Sequence, residues 1–320
     1  MRKTYIKKIV IMAIFALSGH IAYGLEVFAI PGQNGLGSSP EYVKKCLGSN
    51  KISVKKVKTP SKITEIDLGQ KHCIKYLRNA LASDKTNNVI IHATSQGTAT
   101  ALNYLATEDK GKKIKALILE AVLISGNDAI FHTLKGDLPC FEYLPFSYYF
   151  LPYCAKVQFP CYRPTGIQVI KTLKQIPTDI PIIIIHSQND RQLSYKGALA
   201  LYYGLRANGN NNVYLLSQDG RRHIEILDEK PEYQKIVQSI LKKHNVLPKS
   251  WYQFLLPKKN AIDLSLFQPN HNNDRFRKPY QNLVAKEKWH KRLWNTVVLG
   301  GITGITALAY CCSKKLGWTK

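Results

Sequence analysis

The sequence predicts an α/β protein built on a mostly parallel central sheet with helices on both faces. Three observations carry this. Apolar runs of strand length alternate with segments of helix length between residues 25 and 245. The run Ile180–Ile185 (IPIIII) is almost wholly β-branched, the composition of a central parallel strand covered on both faces. A third run, Asn88–His92 (NVIIH), leads directly into Ala93-Thr94-Ser95-Gln96-Gly97 and then a helical segment.

In chain order, Leu25–Ile30 is a short apolar strand closed by Pro31-Gly32-Gln33-Asn34-Gly35. Ile52–Val57 alternates apolar residues with lysines, as a strand at an exposed edge does. Residues 63–83 read as a helix. The buried strand Asn88–His92 precedes a helix whose apolar members are Ala99, Ala101, Leu102 and Leu105. Ile114–Ile124 and Ile180–Ile185 are the next strands, 194–207 the next helix, Asn212–Leu216 the last strand and 231–244 the last helix. Two stretches interrupt this rhythm. Residues 127–165, rich in aromatics and proline, are too long for a plain crossover and read as a cap or lid insertion. Residues 246–292 are polar, basic and weakly periodic, and are expected to form a linker.

The two ends carry different signals. Residues 1–24 have the form of a signal peptide: Arg2, Lys3, Lys7 and Lys8, then the apolar Ile9–Leu17, then Ala22-Tyr23-Gly24 as a cleavage site. Residues 293–312 (LWNTVVLGGITGITALAYCC) hold no charge and match the hydrocarbon thickness as a transmembrane helix. Lysines flank both sides, and Trp294, Tyr310 and Trp318 suit the interfaces. A short basic tail, 313–320, follows. The expected location is membrane-anchored, with the folded body exported and the tail in the cytoplasm.

The net charge of +25 is spread as lysine along the chain. No RNP-like motif, zinc-finger spacing or compact arginine patch accompanies it, so nucleic acid is not an expected partner. Solvated helix faces account for the charge, and attraction to anionic lipid is the other reading. No C-x-x-C pair occurs among the seven cysteines, which argues against a zinc site. In an exported protein one disulfide among Cys140, Cys154 and Cys161 is expected, with the pairing open.

The chemistry is suggested by position. A serine hydroxyl needs a base within hydrogen-bond reach, and the base needs an orienting group. A tight turn from strand to helix exposes such a hydroxyl, and needs small residues two positions to either side. Ala93 and Gly97 flank Ser95 in that way. Asp190 follows the strand IPIIII, in HSQNDRQLS, and His223 follows the last strand, in SQDGRRHIEIL. Each candidate lies just past the carboxyl end of a strand, where open α/β sheets bind ligands. Asp219 is the rival for the acid. His92 and His186 lie in strands and read as core histidines with satisfied ring nitrogens.

The order Ser, Asp, His resembles the α/β-hydrolase superfamily. Within it, LILEAVLISGNDAIF, HSQNDRQLSYKGALALYYGL and DGRRHIEIL resemble the prolyl-oligopeptidase-like and Bem46-like branch. The resemblance covers residues 25–245. It implies Ser95 as nucleophile, His223 as base and Asp190 as orienting acid. It also implies an oxyanion hole from the backbone N–H groups of Gln33 and Gln96, with Asn34 as the alternative to Gln33. The elbow is A-x-S-x-G where the family usually has G-x-S-x-G, and the first loop opens P-G where H-G is common. No cofactor is called for. Phe141, Tyr143, Phe146, Tyr148, Tyr149, Phe150 and Tyr153 could line an acyl cavity or merely pack the cap. The expected substrate is a small-molecule or lipid ester. A peptidase, or an inactive membrane scaffold on the same fold, is the alternative.

Overall fold

A computed structural model describes residues 25–49, 52–60, 62–84, 86–109, 114–137, 147–157, 159–247 and 262–292. The expected signal peptide 1–24, the transmembrane helix 293–312 and the tail 313–320 lie outside these residues. Among the described residues no helix is long and apolar enough to cross a membrane.

Six strands form one sheet: β1 Leu25–Ile30, β2 Ser53–Lys56, β3 Asn88–Thr94, β4 Ile114–Glu120, β5 Ile182–Ser187 and β6 Val213–Gln218. Their order is β2-β1-β3-β4-β5-β6, and every neighbouring pair is parallel. The chain leaves β1 toward one edge and returns to build the other, so the loops after β1 and β3 face each other across a switch point. The lysine-alternating β2 takes the exposed edge, as its pattern predicts.

Alternation along each strand divides the core into two layers. Phe28, Ile30, Ile91, Leu117, Leu119, Ile182 and Ile184 face one layer. That layer is covered by α2 (Lys71–Ala82), α3 (Gln96–Tyr104) and α6 (Tyr195–Ala207). Val27, Ala29, Ile90, Ile118, Ile183 and Ile185 face the other, under α1 (Pro40–Leu47) and α8 (Pro231–Lys243). Helix α1 was not among the sequence expectations. Its boundaries obey local rules: Ser39 caps Tyr42 N–H, Pro40 opens the first turn and Gly48 closes it at φ 65.

Two departures concern the interrupting stretches. The insertion between β4 and β5 contains helices α4 (Gly126–Asp137) and α5 (Ser147–Cys154), and residues 138–146 lie outside the described ones. Ile130, Leu151 and Tyr162 form a small core of their own with Ile66 and Leu68. Of the insertion's cysteines, Cys154 and Cys161 are both free thiols, so the disulfide expected there does not join them. Cys140 is outside the described residues.

The second departure is the linker. Residues 274–292 form a helix, α9, rather than a tether. Phe276 and Leu283 are buried in the main core, with Tyr280 and Val284 against it. Farther along, Glu287 and His290 are also buried. The Glu287 carboxylate accepts from Ser125 Oγ at 2.6 Å and Asn127 Nδ2 at 3.0 Å, and lies 3.1 Å from Lys171 Nζ. The His290 ring stacks on Tyr153 of α5, and Lys286 Nζ lies 4.3 Å from the Tyr148 ring centroid. The helical period was hidden because half of its inward face is polar.

Candidate active site

Strand β3 delivers Ser95 to the carboxyl edge of the sheet, and α3 begins at the next residue. Ser95 adopts φ 52, ψ −121, the strained conformation of a strand-to-helix elbow. The expected small flanks are explained by contacts. A Cβ on Gly97 would stand 2.5 Å from Ile30 O and 2.8 Å from Pro31 O, which no side chain tolerates. At the other flank, Ala93 is fully buried and its methyl joins the core, so the elbow accommodates A-x-S-x-G without crowding.

Asp190 lies three residues beyond β5, and His223 five beyond β6. The two loops bring them to Ser95. His223 Nε2 is 2.8 Å from Ser95 Oγ, and His223 Nδ1 is 2.7 Å from Asp190 Oδ2. With Nδ1–H donated to the carboxylate, Nε2 is the free acceptor facing the hydroxyl. The other carboxylate oxygen, Oδ1, accepts from the backbone N–H of Gln192 at 2.7 Å and Leu193 at 3.1 Å. Burial on its own would raise the Asp190 pKa. The hydrogen bond and charge of His223, the nearby His186 and the Leu193 N–H outweigh it, and the carboxyl lies below its ordinary range. Asp219, the rival acid, is exposed, and its backbone carbonyl accepts from Asn189 Nδ2.

The first loop closes on the nucleophile. Gly32 lies so near that a Cβ there would be 3.0 Å from Ser95 Cβ. Gln33 follows, opening a short turn in which Asn34 has φ 58. Gln96 is the first residue of α3. Among the described residues, neither the Gln33 N–H nor the Gln96 N–H has a protein acceptor. Gln96 directly follows the serine, and Gln33 directly follows Gly32, the glycine that closes on it.

His186 and His92 behave as core residues. His186 accepts from Val122 N–H at Nδ1 and donates from Nε2 to Leu193 O, and burial lowers its pKa. His92 bonds Ser38 Oγ through Nδ1 and Glu120 Oε1 through Nε2. Cys46, His92 and Glu120 bring three ligand-type atoms within 4.8 Å of one another. They do not suit a metal. The Glu120 carboxylate already takes three donors, both His92 nitrogens are bonded, and burial pushes the Cys46 thiol well up. Three residues at the site carry no local sequence motif. His132 of α4 bonds the Asp190 backbone carbonyl at 3.1 Å. Glu120 and Tyr42 anchor the segment after His223. Of the three only Glu120 carries a mark in the sequence, a carboxylate inside an apolar strand, and it was not singled out.

Two recesses among the described residues lie at the opposite, amino edge of the sheet. One is bordered by Asn88, Lys115 and Pro181, the other by Ala106, Thr107 and Pro177, and neither includes a candidate site residue.

The parallel sheet, the elbow after β3, the acid after β5 and the histidine after β6 fit an α/β-hydrolase fold. No protein-family model matches the chain, and no curated protein does. Among solved structures it is similar to an esterase of Pyrococcus furiosus, at 18% identity over 68% of this chain and 81% of that one, with a TM-score of 0.49. It is similar also to a membrane phospholipase A described as a bacterial virulence factor, at 15% identity over 69% and 79%, TM-score 0.48. Est1E from Butyrivibrio proteoclasticus is a third, at 16% identity over 70% and 88%, TM-score 0.48. At these values the likeness carries no chemistry to this chain. None of these structures places it in the prolyl-oligopeptidase-like or Bem46-like branch.

Proposed function

We propose that this chain is a serine hydrolase that cleaves carboxylic esters, lipid esters foremost, through an acyl-enzyme on Ser95. The observation that carries the reading is the relay from Ser95 Oγ to His223 at 2.8 Å and from His223 to Asp190 at 2.7 Å. In this reading Ser95 Oγ attacks the ester carbonyl while His223 Nε2 takes its proton. Asp190 holds the imidazole in the tautomer that presents Nε2 and stabilises the imidazolium. The developing oxyanion is received by the N–H groups of Gln33 and Gln96, the latter at the amino end of α3, where the helix dipole favours negative charge. His223 then returns the proton to the leaving alkoxide. A water deprotonated by His223 hydrolyses the acyl-enzyme and restores Ser95.

The lipid part of the proposal rests on sequence: an aromatic-rich insertion beside the site and an apolar segment, 293–312, suited to a membrane anchor. Hydrolysis of p-nitrophenyl esters of increasing chain length, beside aminoacyl amides, tests the substrate class. Turnover of the esters, rising with acyl length and absent in Ser95→Ala, is expected. Cleavage confined to the amides would contradict it. We propose the exported, anchored location on the same sequence grounds. Protease shaving of intact cells should remove the body, and alkaline carbonate should leave the chain in the membrane fraction.

A further inference from the structure

The chemistry proposed for Ser95 leaves a buried polar network unused. It lies at the carboxyl end of β4, against α1. The Glu120 carboxylate, fully buried, accepts from Tyr42 OH at 2.6 Å and from His92 Nε2 at 2.9 Å through Oε1. Through Oε2 it accepts from the backbone N–H of Ile226 at 3.1 Å. Tyr42 OH in turn accepts from the N–H of Leu227 at 3.2 Å. Ile226 and Leu227 are the first residues of the short helix α7 (Ile226–Glu229), and their N–H groups have no acceptor inside that helix. Glu225, immediately before, turns the chain at φ 55. His223 is three residues upstream of Ile226.

The same residue also holds the nucleophile. The Glu120 backbone carbonyl accepts from Ser95 N–H at 2.9 Å. One residue thus fixes the elbow through its main chain and the histidine segment through its side chain. His92, hydrogen-bonded to Ser38, and Tyr42 fix the carboxylate's orientation. A carboxylate within an apolar strand is costly unless it is fully hydrogen-bonded, and here three donors meet it.

We propose that Glu120 and Tyr42 are positioning residues for the Ser95–His223 contact. This rests on the hydrolase reading above. They touch neither substrate nor reacting atoms. They set the separation of base and nucleophile by clamping residues 226 and 227 to the strand that also anchors Ser95.

The test uses the full chain with Glu120→Ala, Glu120→Gln and Tyr42→Phe. Two readouts are taken. Hydrogen exchange of residues 224–229 reports the clamp without reference to activity. Ester kcat and the rate of fluorophosphonate labelling, both normalised by active-site titration, report the base. In Glu120→Ala and Tyr42→Phe, exchange should rise at least tenfold in 224–229 with β3 and β5 unchanged. In both variants kcat and labelling rate should fall tenfold or more while KM holds. Glu120→Gln, which keeps an acceptor for Ile226 N–H, should stay within threefold of wild type. A merely structural role would lower the titratable fraction and leave kcat per site alone. Exchange and kcat both at wild-type level in Tyr42→Phe would overturn the positioning role, with the hydrolase reading intact. A wild type that neither labels nor turns over ester would overturn that reading and the positioning role with it.

Discussion

Ser95 sits at φ 52, ψ −121, a region that costs a non-glycine residue about 1–3 kcal/mol. Its N–H donates to Glu120 O at 2.9 Å, and its carbonyl accepts the Thr98 N–H at 2.9 Å and the Thr98 hydroxyl at 2.6 Å. The strain is thus held by bonds on both sides of the residue. Asp190 is held as tightly, and its depressed pKa makes a sign prediction. An ionised group favoured by the fold stabilises the chain above its ordinary pKa. That contribution is lost as pH falls through the folded value. Asp190→Asn should therefore lower the urea midpoint at about pH 6, with the gap closing toward about pH 3. A gap independent of pH would contradict this. The same substitution leaves the wrong imidazole tautomer and should cut kcat by about 10^4-fold. His223, Ser95 and Asp190 were legible because each follows a strand that its own composition announces. Tyr42 was not, since a tyrosine on an unrecognised helix carries no mark of the contact it makes across 78 residues with Glu120.

At the scale of elements, α9 changes the reading of the chain most. Its apolar residues are few, and two of its buried positions are Glu287 and His290, so periodicity of hydrophobicity could not find it. What buries it is partner chemistry. Ser125, Asn127 and Lys171 meet the carboxylate, and the rings of α5 meet His290. Glu287→Ala leaves the Ser125 hydroxyl without its acceptor and Asn127 Nδ2 with the Pro164 carbonyl alone, and should destabilise by about 2–3 kcal/mol in urea titration. Because α9 packs on α5, the insertion should also be cut faster by a limiting protease. Unaltered stability and cutting would show that α9 is not docked as described. The central strands were read correctly for the opposite reason: Ile182–Ser187 is buried on both faces and needs no specific partner. The carboxyl ends of β3, β5 and β6 run two residues beyond the expected limits, into polar residues such as Ser187 and Gln218 that still pair in the sheet, whereas β4 stops at Glu120, four residues short of the expected Ile124.

As a whole, the molecule gathers its polar chemistry at one edge of the sheet. Ser95, Asp190, His223 and the Gln33 loop all lie past carboxyl ends, around the switch between β1 and β3. The α/β class follows from composition and alternation alone. The convergence of three loops does not, because it depends on sheet order and register. The helix ending at residue 292 packs on this same body through Phe276 and Leu283. The central claim, that Ser95 is an activated nucleophile, is tested most directly by mass-spectrometric mapping of a fluorophosphonate adduct on the full chain. One adduct per molecule, on the peptide containing Ser95, lost in Ser95→Ala and strongly slowed in His223→Ala, is the predicted result. A folded wild type that stays unmodified, or an adduct on another residue, would contradict it.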